Sequence, residues 1–361
     1  MNATRRLVPL QGLRAIAALS IAWAHLHHVF ARQPGGPDFG MLAYAVDVFF
    51  VISGFIMMHR EWDSFGEPES VRKFFVRRLA RIVPLYWGVS LIYLYFVLRV
   101  PGLTVANLSW DVVWKSFLFI PAVRPQGNIH PLIDIGWTLN YEMLFYMTFG
   151  LALFLPRWIG LGALGLGYLA LYNSPAWLPS STAIEFWANI RLFEFFFGIG
   201  IAVAFRYRER LPGWLCAASI LSGVALWQLI VSGPPIPFLT GYTNVMAYFA
   251  SAALIVAGAV FYQGPLPRPL ASTFNTLGDA SYAIYLMHPL TYYYTLPFFG
   301  INVSTQSWAY MLFALSAVII GAVLVHRYFE APAARWLAHA AETSGKSFKS
   351  PAADAARGAT P

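Results

Sequence analysis

Residues 10–31 read LQGLRAIAALSIAWAHLHHVFA. A helix needs about 20 mostly apolar residues to cross a bilayer, and this stretch has that length, with Arg14 near one end and His25 toward the other. A cleaved signal peptide is a poor description of it. The apolar core of a signal runs about 7–15 residues without charge, whereas Arg14 and His25 interrupt a longer run and no small-x-small site follows. The segment is expected to be an uncleaved first membrane helix.

Working outward, nine further runs of that kind are separated by Pro, Gly and charge clusters, at roughly 40–59, 82–100, 137–155, 158–173, 189–205, 213–232, 242–262, 280–297 and 307–327. The expectation is an all-α, polytopic transmembrane helix bundle of about ten spans. The composition agrees: of 361 residues, 58% are apolar, 17% aromatic and only 11% charged, where a soluble domain has about a quarter of its residues charged. Disorder, a coiled coil, a secreted disulfide scaffold and an ordinary cytosolic enzyme are excluded. The single cysteine, Cys216, stands in an apolar run and reads as core filler.

The net charge of +8 needs no nucleic acid to explain it. With ten spans and the N-terminus inside, 18 of the 24 Lys and Arg fall on cytoplasmic segments, 4 on external ones, and Arg14 and Arg191 within or at the edge of spans. That asymmetry is the positive-inside pattern and sets both termini in the cytoplasm. Residues 1–340 form the expected membrane domain. The stretch 341–361, AETSGKSFKSPAADAARGATP, is small and polar and is expected to be a disordered cytoplasmic tail.

Ionisable side chains inside a membrane are costly and mark function by default. Arg14 and His25 are eleven residues apart, three turns plus about 20°, so they share a helix face about 16 Å apart along the axis. Arg14 alternatively snorkels to the inner headgroups, and His25 alternatively is a core histidine bonded to a neighbouring helix. His27 and His28 make an HxHH run, but the three rings fan around the helix, which speaks against a metal cluster.

In VDVFFVISGFIMM (46–58), Asp47 lies near the outer end, Gly54 allows close helix approach, and Ser53 reads as a hydrogen-bonding residue. In FFVRRLARIVPLYW (74–87), Arg78 and Arg81 share a helix face; they read either as positive-inside anchors or as a clamp for phosphate oxygens. Glu142, in IGWTLNYEMLFY (135–146), is expected to pair with a histidine or arginine of another helix. His288 and Glu330 complete the set, Glu330 with a basic loop as its expected partner.

Taken together and in this order, LQGLRAIAALSIAWAH, VDVFFVISGF, FFVRRLARIVPLYW, GWTLNYEMLFY and SYAIYLMHP closely resemble the acyltransferase-3 family of integral membrane acyltransferases, and within it bacterial exopolysaccharide O-acetyltransferases. The resemblance runs from about Leu10 to Trp336. It makes Arg14 and His25 the family's Arg-x10-His pair, Arg78 and Arg81 its Arg-x-x-Arg motif, Ser53-Gly54-Phe55 its Ser-Gly-Phe motif and Glu142 the acid of its Trp-x-Leu-x-x-Glu stretch. It implies acetyl-CoA or another acyl-CoA as donor, no metal, and a hydroxyl on a polysaccharide or lipid-linked oligosaccharide as acceptor, at the bacterial inner membrane.

The chemistry is compatible. A sugar hydroxyl is hardly ionised near neutral pH and needs a base, and a neutral imidazole suits that proton. His25 is the expected general base, or alternatively a transient acyl carrier, with Glu142 or Asp47 orienting it. Arg14, Arg78 and Arg81, with Ser53, are the expected donor-binding residues, and Arg191 is a candidate cation for a charged acyl group. Other readings are acylation of a small molecule or glycolipid, a secondary transporter, or a non-catalytic scaffold of polysaccharide export machinery.

Overall fold

The computed structural model describes residues 7–30, 45–99, 108–232, 242–301 and 308–347. Among them there is no strand, only helices and the turns between them. In chain order they are α1 (Val8–Phe30), α2 (Ala45–Arg60), α3 (Pro68–Arg99), α4 (Trp110–Phe117), α5 (Trp137–Ala152), α6 (Arg157–Asn173) and α7 (Thr182–Trp187). There follow α8 (Glu194–Tyr207), α9 (Gly213–Ser232), α10 (Tyr242–Phe261), α11 (Arg268–Asp279), α12 (Ser281–Leu290), α13 (Leu296–Phe298), α14 (Trp308–Val325) and α15 (Ala331–Ser347). Each of the ten expected segments falls largely on helix, the ninth running over α12, the turn after it and α13; positions 31, 40–44, 100 and 307 lie outside the described residues. Among the described residues, three helical stretches are long and apolar enough to cross a membrane: Pro68–Arg99, Gly213–Val231 and Trp308–Ala341.

Two boundaries differ from the sequence reading. Helix α3 starts at Pro68 rather than near residue 82, so the basic run RRLAR is continuous with the apolar half of one 32-residue helix. Its first turns are amphipathic, with Val71, Phe74 and Arg78 buried at helical spacing. They pack on α15, and Arg72 Nη1 donates to the Ala341 carbonyl at 2.9 Å. Helix α15 itself runs to Ser347, seven residues into the stretch expected to be a disordered tail. The rest of that stretch, 348–361, lies outside the described residues.

Pro289, inside α12, has no N–H to give to the helix, and the five residues after Leu290 take π-helical form. There Thr291 and Thr295 hydroxyls donate to the Met287 and Leu290 carbonyls at 3.1 and 3.2 Å. A second π turn, His326–Glu330, joins α14 to α15.

The closest crossing in the bundle's centre is α2 against α8. A Cβ on Gly54 would collide with the Phe195 carbonyl, and one on Gly198 with the Val51 carbonyl, so the two backbones meet through paired glycines. Gly54 does what the sequence suggested, and its counterpart Gly198 was not singled out. Around the crossing the core is aromatic: Phe145 stacks on Phe195 at 4.1 Å between centroids, and Phe50 tilts against Phe195 at 5.0 Å. Cys216 is buried among apolar neighbours, as core filler should be.

Candidate active site

Two adjoining cavities occupy the bundle. The larger, about 670 Å³, opens at the end where α1 begins, α2 finishes, α3 begins and α15 packs. Six arginines line it: Arg14, Arg60, Arg77, Arg78, Arg81 and Arg335. The acids on its wall are Asp279 and Glu330, and each already holds another side chain. Asp279 accepts from Gln11 Nε2 at 3.1 Å, and Glu330 Oε2 meets His326 Nδ1 at 2.9 Å. His326, one turn back on the same helix, is thus the partner of Glu330, not a basic loop. Arg77 lies 3.1 Å from Glu61. At Arg60, beyond the expected second span, burial first and then the like charges of Arg81 and Arg77 push the guanidinium below its ordinary value.

Arg14 does not snorkel away. Its side chain is only 7% exposed, lines the chamber, and donates from Nη1 to Gln11 Oε1 at 2.8 Å. Arg78 is 4% exposed, lies 5.8 Å above the Phe74 ring, and keeps its Nε without a partner. Positive-inside anchoring puts arginines in water or among headgroups; Arg78 is instead buried with one donor unused.

The smaller cavity, about 80 Å³, shares Arg14, Ile56, Arg78 and Arg81 with the chamber. Beyond those four, its polar lining is Ser53, Thr138, Glu142, Tyr146, Ser281, Tyr282 and Tyr285, while Phe49, Phe50, Ile52, Met57 and Leu139 give it an apolar side. Here Glu142 shares the space with Arg14, Arg78 and Arg81 of other helices, and hydroxyls bond it directly. Glu142 Oε1 accepts hydrogen bonds from Ser53 Oγ, at 3.0 Å, and from the Tyr146 hydroxyl. Both hydroxyls bond the same carboxylate oxygen, and one of them comes from the next turn of its own helix. Tyr146 was not singled out in the sequence, although the i, i+4 spacing to Glu142 is visible there.

The other two tyrosines of this cavity are tied back to backbone. Tyr285 Oη donates to the Ile135 carbonyl and shares a bond with Thr138 Oγ1, both at 2.9 Å, and Tyr282 Oη donates to the Ile82 carbonyl at 2.9 Å. On the far side of Tyr285, with ring centroids 6.0 Å apart, is His288. His288 in turn faces His25 at 5.0 Å between centroids, tilted by 48°. His25 is therefore one layer beyond the small cavity and is not among the residues lining either space. Its Nδ1 is 2.9 Å from the Ile21 carbonyl. The side chains of His27 and His28 lie outside the described residues.

Asp47 sits elsewhere. It is buried at the α2–α8 crossing, 2.7 Å from Arg191 Nη1, and the same nitrogen is 3.1 Å from Glu194. Arg191 also lies 5.6 Å above the Trp137 ring. With two carboxylates on one guanidinium, Arg191 is already neutralised, and neither it nor Asp47 lines the two joined cavities. The sequence separates Asp47 and Arg191 by 144 positions, and no local pattern could have paired them.

The described residues thus form a helical bundle in which an arginine-lined chamber leads to a small cavity with polar walls. Residues 9–327 match the family described as an acyltransferase domain. The chain belongs to that family: it is an enzyme, an acyltransferase. It is 35% identical to the exopolysaccharide production protein ExoZ of Rhizobium meliloti over 72% of this chain and 79% of that one. It is 28% identical to the acyltransferase MdmB of Streptomyces mycarofaciens over 92% of both chains. To the peptidoglycan O-acetyltransferase OatA of Listeria monocytogenes it is 24% identical, over 91% of this chain and 56% of that protein. No solved structure matches the chain.

Proposed function

We propose that this protein is a membrane O-acyltransferase that moves an acyl group, acetyl first among the candidates, from acyl-CoA to a hydroxyl of an envelope or exported polysaccharide or of its lipid-linked precursor. Its place is the bacterial inner membrane, with about ten spans and both termini cytoplasmic. One observation carries the reading: a chamber walled by six arginines narrows through Arg14, Ile56, Arg78 and Arg81 into the small cavity that holds Ser53 and Glu142. Guanidinium groups match phosphate oxygens two at a time, and the phosphates of CoA are the anions to be held. The chamber, about 670 Å³, is in the size range of sites for ligands of several hundred daltons. The small one, about 80 Å³, has room for a few heavy atoms, since one water takes about 30 Å³. It suits a short acyl group.

In this reading the arginine end faces the cytoplasm, where the other basic loops are, and the thioester points inward. His25 acts from beyond the small cavity as general base: it takes the proton of the acceptor hydroxyl as the oxygen attacks the thioester carbonyl. Of the two candidate carboxylates, Glu142 shares the acyl cavity, and Asp47 is engaged by Arg191. The names of the relatives, one in exopolysaccharide production and one a peptidoglycan O-acetyltransferase, favour a carbohydrate acceptor. The test is transfer of label from radiolabelled acetyl-CoA into envelope polysaccharide by membranes containing wild type, His25→Ala or Arg14→Ala protein. Loss of label in both variants at normal expression is expected. Undiminished transfer by His25→Ala overturns the assignment of the base, and a wild type that neither transfers label nor binds CoA overturns the acyl-CoA reading.

A further inference from the structure

The small cavity follows α2 away from the chamber. Its lining on that helix goes from Ile56, shared with the chamber, through Ser53 to Phe50, Phe49 and Val46. At 1.5 Å per residue, Phe49 is about 6 Å deeper than Ser53, roughly one turn on and on the same helix face. Helix α5 keeps step with it. Glu142 is bonded to Ser53, and Thr138, one turn earlier on α5, is bonded to Tyr285, whose ring meets Phe49.

The wall changes character between those two levels. At the first, the hydroxyls of Ser53 and Tyr146 bond Glu142. At the second, Phe49, Phe50 and Leu139 are apolar. The polar groups there, Thr138 and Tyr285, are spent on one another and on the Ile135 carbonyl. The cations lining the cavity, Arg14, Arg78 and Arg81, are those it shares with the chamber. Arg191 is engaged by Asp47 and Glu194 and does not line it.

Two rings close the deep level. Phe49 on α2 and Tyr285 on α12 face each other with centroids 6.1 Å apart, tilted by 57°. That is within the range of direct ring contact, so no alkyl chain passes between them. Tyr285 is pinned through its hydroxyl. Phe50, 3% exposed, is wedged against Trp137, Tyr141 and Phe195 and belongs to the core. Phe49 is half-buried, so its ring is the part of this barrier that can be cut back with least damage to the core.

We propose that Phe49 sets the length of the acyl group this enzyme takes. With the thioester carbonyl at the level of Ser53 and Glu142, an acetyl methyl stops short of the Phe49–Tyr285 contact. Each further methylene is driven against it, and an acyl group ending in a carboxylate meets no cation at that level. The inference rests on the acyl-CoA reading and gives that site its selectivity for short, uncharged acyl groups.

The experiment is transfer into envelope polysaccharide by membranes containing wild type, Phe49→Ala or Leu139→Ala protein, with labelled acetyl-, butyryl- and succinyl-CoA compared by kcat/KM. The ratio of two donors is read within each protein, so a general loss of activity cancels. One methylene in an apolar pocket is worth about 10- to 200-fold. Wild type should therefore prefer acetyl to butyryl by about 100-fold or more, and Phe49→Ala should cut that preference at least about 10-fold. Succinyl should stay at least about 100-fold below butyryl in Phe49→Ala, which adds space and no cation for a buried carboxylate. Leu139→Ala opens the same level from α5 and should move the acetyl-to-butyryl ratio the same way, which decides the matter if Phe49→Ala does not fold. Equal use of acetyl and butyryl by wild type overturns the inference. So do transfer of succinyl as fast as acetyl and a folded variant that keeps the wild-type ratio. A wild type that transfers no acyl group and binds no CoA would instead overturn the acyl-CoA reading beneath it.

Discussion

Arg78 separates ligand binding from stability more cleanly than any other residue of the chamber. Its guanidinium is buried, lines both cavities, and has no carboxylate paired with it among the described residues. Substituting Met keeps most of the stem's packing and removes the charge. A hydrogen bond to a charged group contributes about 1.5–3 kcal/mol, and about 1.4 kcal/mol is a factor of ten, so Arg78→Met should weaken CoA binding by about 10- to 150-fold. Arg78→Lys, which keeps the charge and loses the two-pronged fork, should fall between. Stability should move the other way or not at all, because a buried cation without a partner is itself a cost and its removal leaves no orphaned acid. The assay is calorimetric titration of CoA into detergent-purified protein, with the unfolding midpoint of the ligand-free protein as control. A Kd within about threefold of wild type, or a large fall in the midpoint, would refute the assignment of Arg78 to the donor's phosphates.

Two further outcomes follow from the α2–α8 crossing. Gly54→Ala sets a methyl group against the Phe195 carbonyl, and overpacking of this kind costs about 1–3 kcal/mol; a lowered unfolding midpoint in detergent is expected, with transfer reduced because Ser53 is the adjacent residue. Arg191→Met leaves Asp47 and Glu194 buried without their cation, which costs about 3–5 kcal/mol; the double variant with Asp47→Asn should regain part of that loss in the same unfolding measurement, and equal midpoints for the two would contradict the ion-pair account.

What could be read in one dimension was what depends on neighbours along the chain. The apolar runs, their lengths and the Lys/Arg asymmetry are local sums over about 20 residues, and all ten runs fall on helices. Arg14, Arg78 and Arg81 could be named because a helix repeats every 3.6 residues, so spacing alone puts them on shared faces. The same local logic missed the start of α3, since a charged amphipathic turn reads as a boundary until α15 is seen to cover it.

The partners were another matter. Glu142 bonds to Ser53 across 89 positions, Asp47 to Arg191 across 144, and His25 faces His288 from the opposite end of the chain. Each pairing depends on which helices cross and at what height, and those are set by packing: paired glycines at one crossing, a proline-broken helix at another. Composition and spacing determined that this is a helical membrane protein with arginines and a histidine inside it. Only the packed bundle decided that the arginines enclose one chamber, that Asp47 is neutralised away from it, and that the histidine has a second histidine beside it.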